Sequence, residues 1–362
     1  MVTYYRKVFE SSKSIKMRLL IEGRVLKHKY TTGVERYVKG LLMVFDKSRL
    51  KYDLALPFGR NNKYFQHIWE HIYLPLKSAH YDILFCPANI APVIKPKALK
   101  LVITIHDLSY MYFPDAYSFT FRKYYGFIIP RLLNLADTII TVSHSEKEAL
   151  TKYFPSLRNK IYPIYLGIKE EFLNCPLIHE KEKFILYVGS LSKRKNLMGL
   201  IKAFKILINK IPHKLVIVGI KGGTFKKIEI PKILKDIPSE RLIFMGQIED
   251  DERLMELYRK SSLFVFPSLY EGFGLPPLEA MACGCPVVVS NVSALPEICG
   301  DAAYYVNPYN INSIAEGIKR VLDDKDLREE LIKKGLNRAK AFSWEKTAQE
   351  YLEIFHKVLE NK

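Results

Sequence analysis

Two kinds of apolar spacing alternate along most of this chain. Short, near-continuous apolar runs predict buried strands at Met17–Ile21, Ile83–Cys86, Leu101–Ile105, Thr138–Val142 and Ile161–Leu166. Between them, apolar residues recur every three or four positions, which predicts helices over Val34–Phe45, Tyr117–Leu135 and Ser145–Phe154. A second series repeats the plan. Its strands are Phe184–Val188, Lys214–Val218, Leu242–Met245, Leu263–Pro267 and Pro286–Ser290, and its helices Leu197–Asn209, Asp250–Lys260 and Pro277–Ala282. Strands apolar on both faces, alternating with amphipathic helices, predict parallel sheets covered on both sides. The fold class is therefore α/β, with two Rossmann-like, doubly wound domains facing a central cleft.

The charged, Pro-containing stretch Glu170–Lys183 separates the two series. The predicted division is an N-terminal extension over 1–15, a first domain over 16–172, a linker over 173–183 and a second domain over 184–342. A terminal helix over 343–362 follows, with Ser343 as its N-cap, and is expected to pack back toward the first domain.

Composition narrows the class. A length of 362 residues suits two domains, and 48% hydrophobic residues exclude wholesale disorder. No apolar run approaches the roughly 20 residues needed to span a bilayer, and the N-terminus lacks the layout of a secretion signal. Five cysteines (Cys86, Cys175, Cys283, Cys285, Cys299) are too sparse for a disulfide framework and predict reduced thiols in a cytosolic protein. The net charge of +18 is uneven: residues 1–170 hold 27 Lys/Arg against 13 Asp/Glu, a net +14. That half is expected to face something anionic, such as nucleic acid, a membrane surface or a phosphorylated substrate, unless it is simply a solvated basic surface.

Open α/β sheets bind ligands beyond the carboxyl ends of their strands. Four segments there carry candidate chemistry. After the strand ending at Pro267, a loop carries Glu271, Gly272 and Gly274, and a helix begins near Pro276–Pro277. Glycines let backbone N–H groups approach a ligand, and the helix start favours a phosphate. Glu279 suits ribose hydroxyls, and Glu271 suits hydroxyls of a second group; a tight turn with capping carboxylates is the plainer alternative. After Tyr187-Val-Gly189 come Lys193, Arg194 and Lys195, cations that suit a diphosphate. At the end of a first-domain strand stands the pair His106-Asp107, with Asp107 expected to orient the imidazole or the loop. The loop Lys29–Tyr37 places Gly33 at a helix start, and Val218–Gly223 forms a second-domain glycine loop containing Gly219.

Metal sites are not expected. Cys283-x-Cys285 has no matching Cys or His pair at zinc-like spacing. No DxD pair stands at a strand end, since Asp250-Asp251 and Asp323-Asp324 lie in charged helical contexts.

Glu271 and Glu279 form the Glu-x7-Glu pattern of the retaining family 4 glycosyltransferases, which have the GT-B fold. The text PSLYEGFGLPPLEAMACGCPVVVSNVSALPEICGDAAYYVNP resembles that family throughout, and the resemblance runs from residue 17 onward. It implies a retaining, metal-independent transferase that needs no cofactor beyond a nucleotide-sugar donor and uses a saccharide or lipid-linked acceptor. It implies that Arg194 and Lys195 grip the diphosphate, and that His106 and Glu271 contact the donor sugar. Gly33, Gly219, Gln247, Ile248, Phe273, Gly274, Leu275 and Glu279 would line the donor, and Glu297 looks structural. Many members carry an arginine straight after the first glycine, where this chain has Ser190. The phosphate motif with its tGveRY loop looks most like mannosyltransferase members, so GDP-mannose is the expected donor and a UDP-hexose the second choice.

Two rivals remain. A GT-B sugar-nucleotide epimerase shares the cleft but not the Glu-x7-Glu text. A nucleic-acid-binding protein would suit the charge, but no aromatic RNA platform or recognition helix is present; no nucleic-acid partner is expected. The segments Tyr117–Leu135 and His67–Leu74 mix cations with aromatics. Each suits either a membrane interface or an ordinary packed helix, the first burying Phe119, Tyr124, Phe127 and Ile128 on the sheet. The enzyme is thus expected in the cytoplasm, peripheral to the membrane where that surface is used.

Overall fold

The computed structural model describes residues 17–27, 33–48, 50–57, 66, 68–178, 180–219 and 237–360. The extension predicted over 1–15, residues 29–32 of the first glycine loop and 220–223 of the second lie outside the described residues. Two six-stranded sheets organise the rest. The first holds β1 (Leu19–Glu22), β2 (Tyr52–Ala55), β3 (Ile83–Cys86), β4 (Lys100–Ile105), β5 (Thr138–Thr141) and β6 (Ile161–Pro163), in the order β2-β1-β3-β4-β5-β6. The second holds β7 (Glu182–Val188), β8 (Lys214–Val218), β9 (Leu242–Gly246), β10 (Ser261–Phe266), β11 (Val287–Ser290) and β12 (Tyr304–Val306), in the order β12-β11-β10-β7-β8-β9.

The strand pairs are parallel, as in Ile21↔Phe85 and Leu186↔Val216. Every residue of β1, β3 and β11 is buried, as strands covered on both faces require. The strand order reverses between β1 and β3 in one sheet and between β7 and β10 in the other. Loops leaving these adjacent strands diverge there and open a crevice.

Helices cover the sheets: α1 (Gly33–Lys47), α2 (Phe119–Leu135), α3 (His144–Tyr153), α4 (Leu197–Leu207), α5 (Asp251–Lys260), α6 (Leu275–Ala282), α7 (Ile311–Asp323), α8 (Lys325–Ala339) and α9 (Trp344–Glu360). Helix α1 buries Tyr37, Val38, Leu41, Val44 and Phe45, a stripe at helical spacing. Caps fix the starts: Ser143 Oγ accepts from Glu146 N–H at 3.0 Å, and Ser343 Oγ from Lys346 N–H at 3.2 Å.

Helix α9 begins where Ile168 N–H bonds Phe342 O at 3.0 Å, then lies against α1 and β3. Its Phe355 packs against Phe85 (5.5 Å) and Phe45 (6.3 Å). Gly40 is required there, because a Cβ would stand 2.2 Å from the Trp344 ring. The buried hydroxyls of Tyr37, Thr104 and Tyr351 bond one another beneath that contact.

Candidate active site

The crevice between β7 and β10 collects the strongest predicted residues. The KRK triplet forms one 3-10 turn after β7, and Asn196 ends it in the left-handed region (φ 53°), which asparagine tolerates. That turn sends Lys193 to solvent and Arg194 and Lys195 inward; Arg194 is 8% exposed. Lys195 Nζ lies 2.6 Å from Glu271 Oε1, and Arg194 Nη1 lies 3.4 Å from Oε2. Arg194 Nη1 also donates to Tyr270 O at 2.7 Å, while its buried Nε has no partner among the described residues. Lys195 stands over the Phe266 ring at 4.8 Å. Burial lowers the Lys195 pKa, with Glu271 opposing that shift. Ser190 Oγ meets Ser192 Oγ at 3.3 Å.

The Glu271 loop needs its glycines. A Cβ on Gly272 would stand 2.0 Å from His106 O, so the loops of the two sheets touch at that residue. Gly274 has φ +122° and caps α6, whose first turn holds Pro276 and Pro277. Leu275 is half-buried. Phe273 needs a correction: its ring sits 5.7 Å from Phe342 and 6.1 Å from Tyr165. It is anchored in an aromatic cluster, so only its backbone is left to face a ligand. Gly219 (φ +145°) follows β8, and a Cβ there would meet Gly189 O at 1.9 Å. Gln247 and Ile248 follow β9, half-buried on the same edge, and Gly33 opens α1, where a Cβ would meet none of the described residues.

Asp107 takes the second of its two expected roles and orders the loop, not the imidazole of His106, which follows β4. His106 Nε2–H donates to Pro87 O at 2.7 Å, and its backbone N–H to Asn89 Oδ1 at 2.7 Å. The ring also meets Tyr37 edge-on at 4.7 Å. Asp107 instead accepts from Ser109 N–H at 3.0 Å and from its hydroxyl. Burial works against the Asp107 charge, but Arg194 and Ser109 outweigh it and hold the carboxyl below its usual range. Burial lowers the His106 pKa, so the imidazole is neutral at neutral pH.

Glu279, buried to 6% exposure, shows what sequence reasoning missed. Its Oε1 receives Arg36 Nη1 of α1 at 2.9 Å, and its Oε2 receives the Tyr258 hydroxyl at 3.1 Å. Arg36 Nη2 bonds Asp251 at 2.9 Å, and Lys169 bonds the other oxygen of Asp251. Asp251 is therefore an inter-domain ligand of two cations, not a solvated helix charge; Asp250 caps α5. Glu297 also spans the halves, its carboxylate accepting from His144 and Ser145 N–H at 2.7 and 2.8 Å. It caps α3 from the other domain. Cys283 and Cys285 are buried, and among the described residues no three His, Cys, Asp or Glu groups converge on a metal position.

Two parallel sheets with site loops meeting across one cleft define the GT-B class of glycosyltransferase. The solved sucrose-phosphate synthase of Thermosynechococcus elongatus superposes with a TM-score of 0.73 over 96% of this chain and all of that one, at 20% identity. Residues 46–172 match the model of Glycosyltransferase Family 4, and 169–338 that of Glycosyl transferases group 1. The O-antigen chain mannosyltransferase B of Escherichia coli is 32% identical over 259 residues, which are 68% of this chain and 67% of that protein. A Campylobacter jejuni N-acetylgalactosamine-N,N'-diacetylbacillosaminyl-diphospho-undecaprenol 4-alpha-N-acetylgalactosaminyltransferase is 33% identical over 251 residues, covering 67% and 66%. The chain spans about a third of the longer serotype-specific mannosyltransferase WbdA of Escherichia coli. This chain belongs to the family 4, group 1 glycosyltransferases, and it is a glycosyltransferase.

Proposed function

We propose that the enzyme transfers a hexose, mannose in the first instance, from a nucleoside diphosphate sugar to a saccharide or lipid-linked acceptor, with retention of configuration. The observation that carries this is the convergence of Arg194, Lys195 and the start of α6 on one crevice beside Glu271. In the reaction the bond from the anomeric carbon to the diphosphate oxygen breaks, and negative charge grows on that phosphate. Arg194, Lys195 and the N–H groups at Gly274 and Leu275 stabilise it. Those groups fill the role a divalent cation would take, so no metal or other cofactor is needed. Gly33, Gly219, Gln247 and Ile248 line the nucleotide, and Glu279 takes the ribose hydroxyls. His106 and Glu271 hold the sugar. Attack comes from the same face: the acceptor oxygen bonds the anomeric carbon while its proton passes to the departing phosphate. The names of the relatives support mannose, and GDP-mannose is the donor to try first.

The test is a thermal-shift panel of GDP, UDP, ADP and their sugars, followed by product NMR. Stabilisation by GDP-mannose and an α-mannoside product after treatment with EDTA are expected. A panel with no shift removes the donor site, and an inverted product removes retention.

Helix α2 leaves Phe119 and Phe127 61% and 57% exposed instead of packing them on the sheet. Arg131 stacks on Phe127 at 3.4 Å and Lys123 on Phe119 at 4.8 Å. Ile72 and Leu76 are exposed on the neighbouring segment, which His71 joins to Tyr124 at 3.2 Å. This basic, apolar face suits a peripheral position on an anionic cytoplasmic membrane surface. Among the described residues no helix is long and apolar enough to cross a membrane. Binding to anionic liposomes that fades with salt is the expected result; none at low salt removes the proposal.

A further inference from the structure

A cavity of about 540 Å3 lies beside the Glu271 loop and is lined by both halves of the chain. Tyr112 and Lys152 come from the first half, and Tyr270, Ser293 and Tyr309 from the second. Topology sets its place. The loops assigned to the nucleotide follow β7, β8 and β9, whereas those carrying Ser293 and Tyr309 follow β11 and β12, on the other flank of β10. The Glu271 loop, which follows β10, divides the two.

Single residues join the cavity to the donor side. Ser293 Oγ accepts from Glu271 N–H at 2.9 Å, and Tyr270 O accepts from Arg194 at 2.7 Å. Ser293 has φ +54°; the other non-glycine residues with positive φ, among those described, are Asn89 and Asn196. Asparagine tolerates that region, but serine is strained in it, and such strain collects at ligand sites.

The lining also has a chemistry. Tyr112 and Tyr270 stack at 4.9 Å, and Tyr309 stands at the rim 67% exposed. Glu148 and Lys152 oppose each other in charge along α3. Aromatic faces with hydroxyls and a charge-balanced rim suit a neutral pyranose: its C–H face lies on a ring and its hydroxyls find polar partners. An anion would meet Glu148 as well as Lys152.

We propose that this cavity is a saccharide subsite that holds the acceptor on the side of Glu271 opposite the nucleotide, with Tyr309 as its outer platform. The proposal rests on the donor reading above. A glycosyltransferase must hold its acceptor close to the donor sugar, and residues of both domains complete this cavity. Opening the cleft would therefore dismantle it.

The experiment titrates manno-, gluco- and galacto-oligosaccharides of one to four units, and separately GDP, into the wild type, Tyr309→Ala and Lys152→Ala. Tyr309 and Lys152 are exposed, so both variants retain the fold. Wild-type binding of at least one series, weakened about tenfold in Tyr309→Ala with GDP affinity unchanged, is expected. Saccharide binding indifferent to both substitutions overturns the subsite, as does a wild type that binds GDP but no oligosaccharide. Oligosaccharide binding that depends on Tyr309, in a protein that binds no nucleotide, keeps the subsite and removes the donor reading.

Discussion

Each sheet buries a charge cluster where its strand order reverses, and the two are settled differently. Beyond β1, Arg24 sits between Glu22 and Glu70, 4.0 and 2.8 Å from their oxygens, and both carboxylates are fully buried. One cation faces two carboxylates, and burial pushes Glu70 up to about 8 despite Arg24. A proton therefore balances that cluster. Beyond β7 and β10, Arg194 and Lys195 share Glu271 while Arg194 also faces Asp107, and the Glu271 side chain still reaches the cleft at 8% exposure. A side chain can yield its place to an arriving anion; a buried ion pair balanced by a proton has nothing to exchange. Burial and charge density alone do not distinguish a site from a structural knot. The identity of the counter-ion does.

The sharpest way to break this contrast is Arg24→Met. It leaves the buried Glu22 and Glu70 carboxyl groups without their cation and is expected to cost roughly 3–5 kcal/mol in denaturant unfolding. GDP affinity of the folded protein should stay the same, and a specific loss of affinity would make Arg24 part of the site. Next, Lys195→Ala should lower turnover about a hundredfold with little change in melting temperature; unchanged kcat would empty the donor assignment. Glu271→Gln probes the exchange itself. With its competitor for the two cations gone, GDP should bind about tenfold tighter by calorimetry while sugar transfer falls. Weaker GDP binding would mean that Glu271 is not a displaceable counter-ion.

The smallest effect is in pH. A Glu70 carboxyl raised from about 4.5 to about 8 holds its proton more tightly in the folded state than in the unfolded chain. Its stabilising share is complete below about 4.5 and lost as pH rises through about 8. Glu70→Gln should therefore flatten the melting temperature between those values. A slope identical to wild type would show that Glu70 is ionised throughout.

Much of this was legible in the chain. Buried strands announce themselves because both faces need apolar residues, so β3 and β8 match the predicted runs residue for residue. The strands not foreseen are β2, a half-exposed edge carrying Tyr52 and Asp53, and β12, only three residues long. Helices α7 and α8 were also missed, although Ile314, Ile318 and Val321 mark a buried stripe. Motif residues on one loop were legible because their spacing is local. Arg36 and Glu279 stand 243 residues apart, and nothing in either segment names the other. For the His106-Asp107 pair, adjacency left two roles open, the imidazole or the loop, and the turn at Ser109 takes the bond.

Helix α9 bears on the order in which the protein can be made. Phe45 and Phe85 are covered by Phe355, and Gly40 receives Trp344, residues that leave the ribosome only after the whole second sheet has been synthesised. The first domain starts first and is finished last. Until then an aromatic face waits uncovered, and a chaperone that holds nascent chains would find it there.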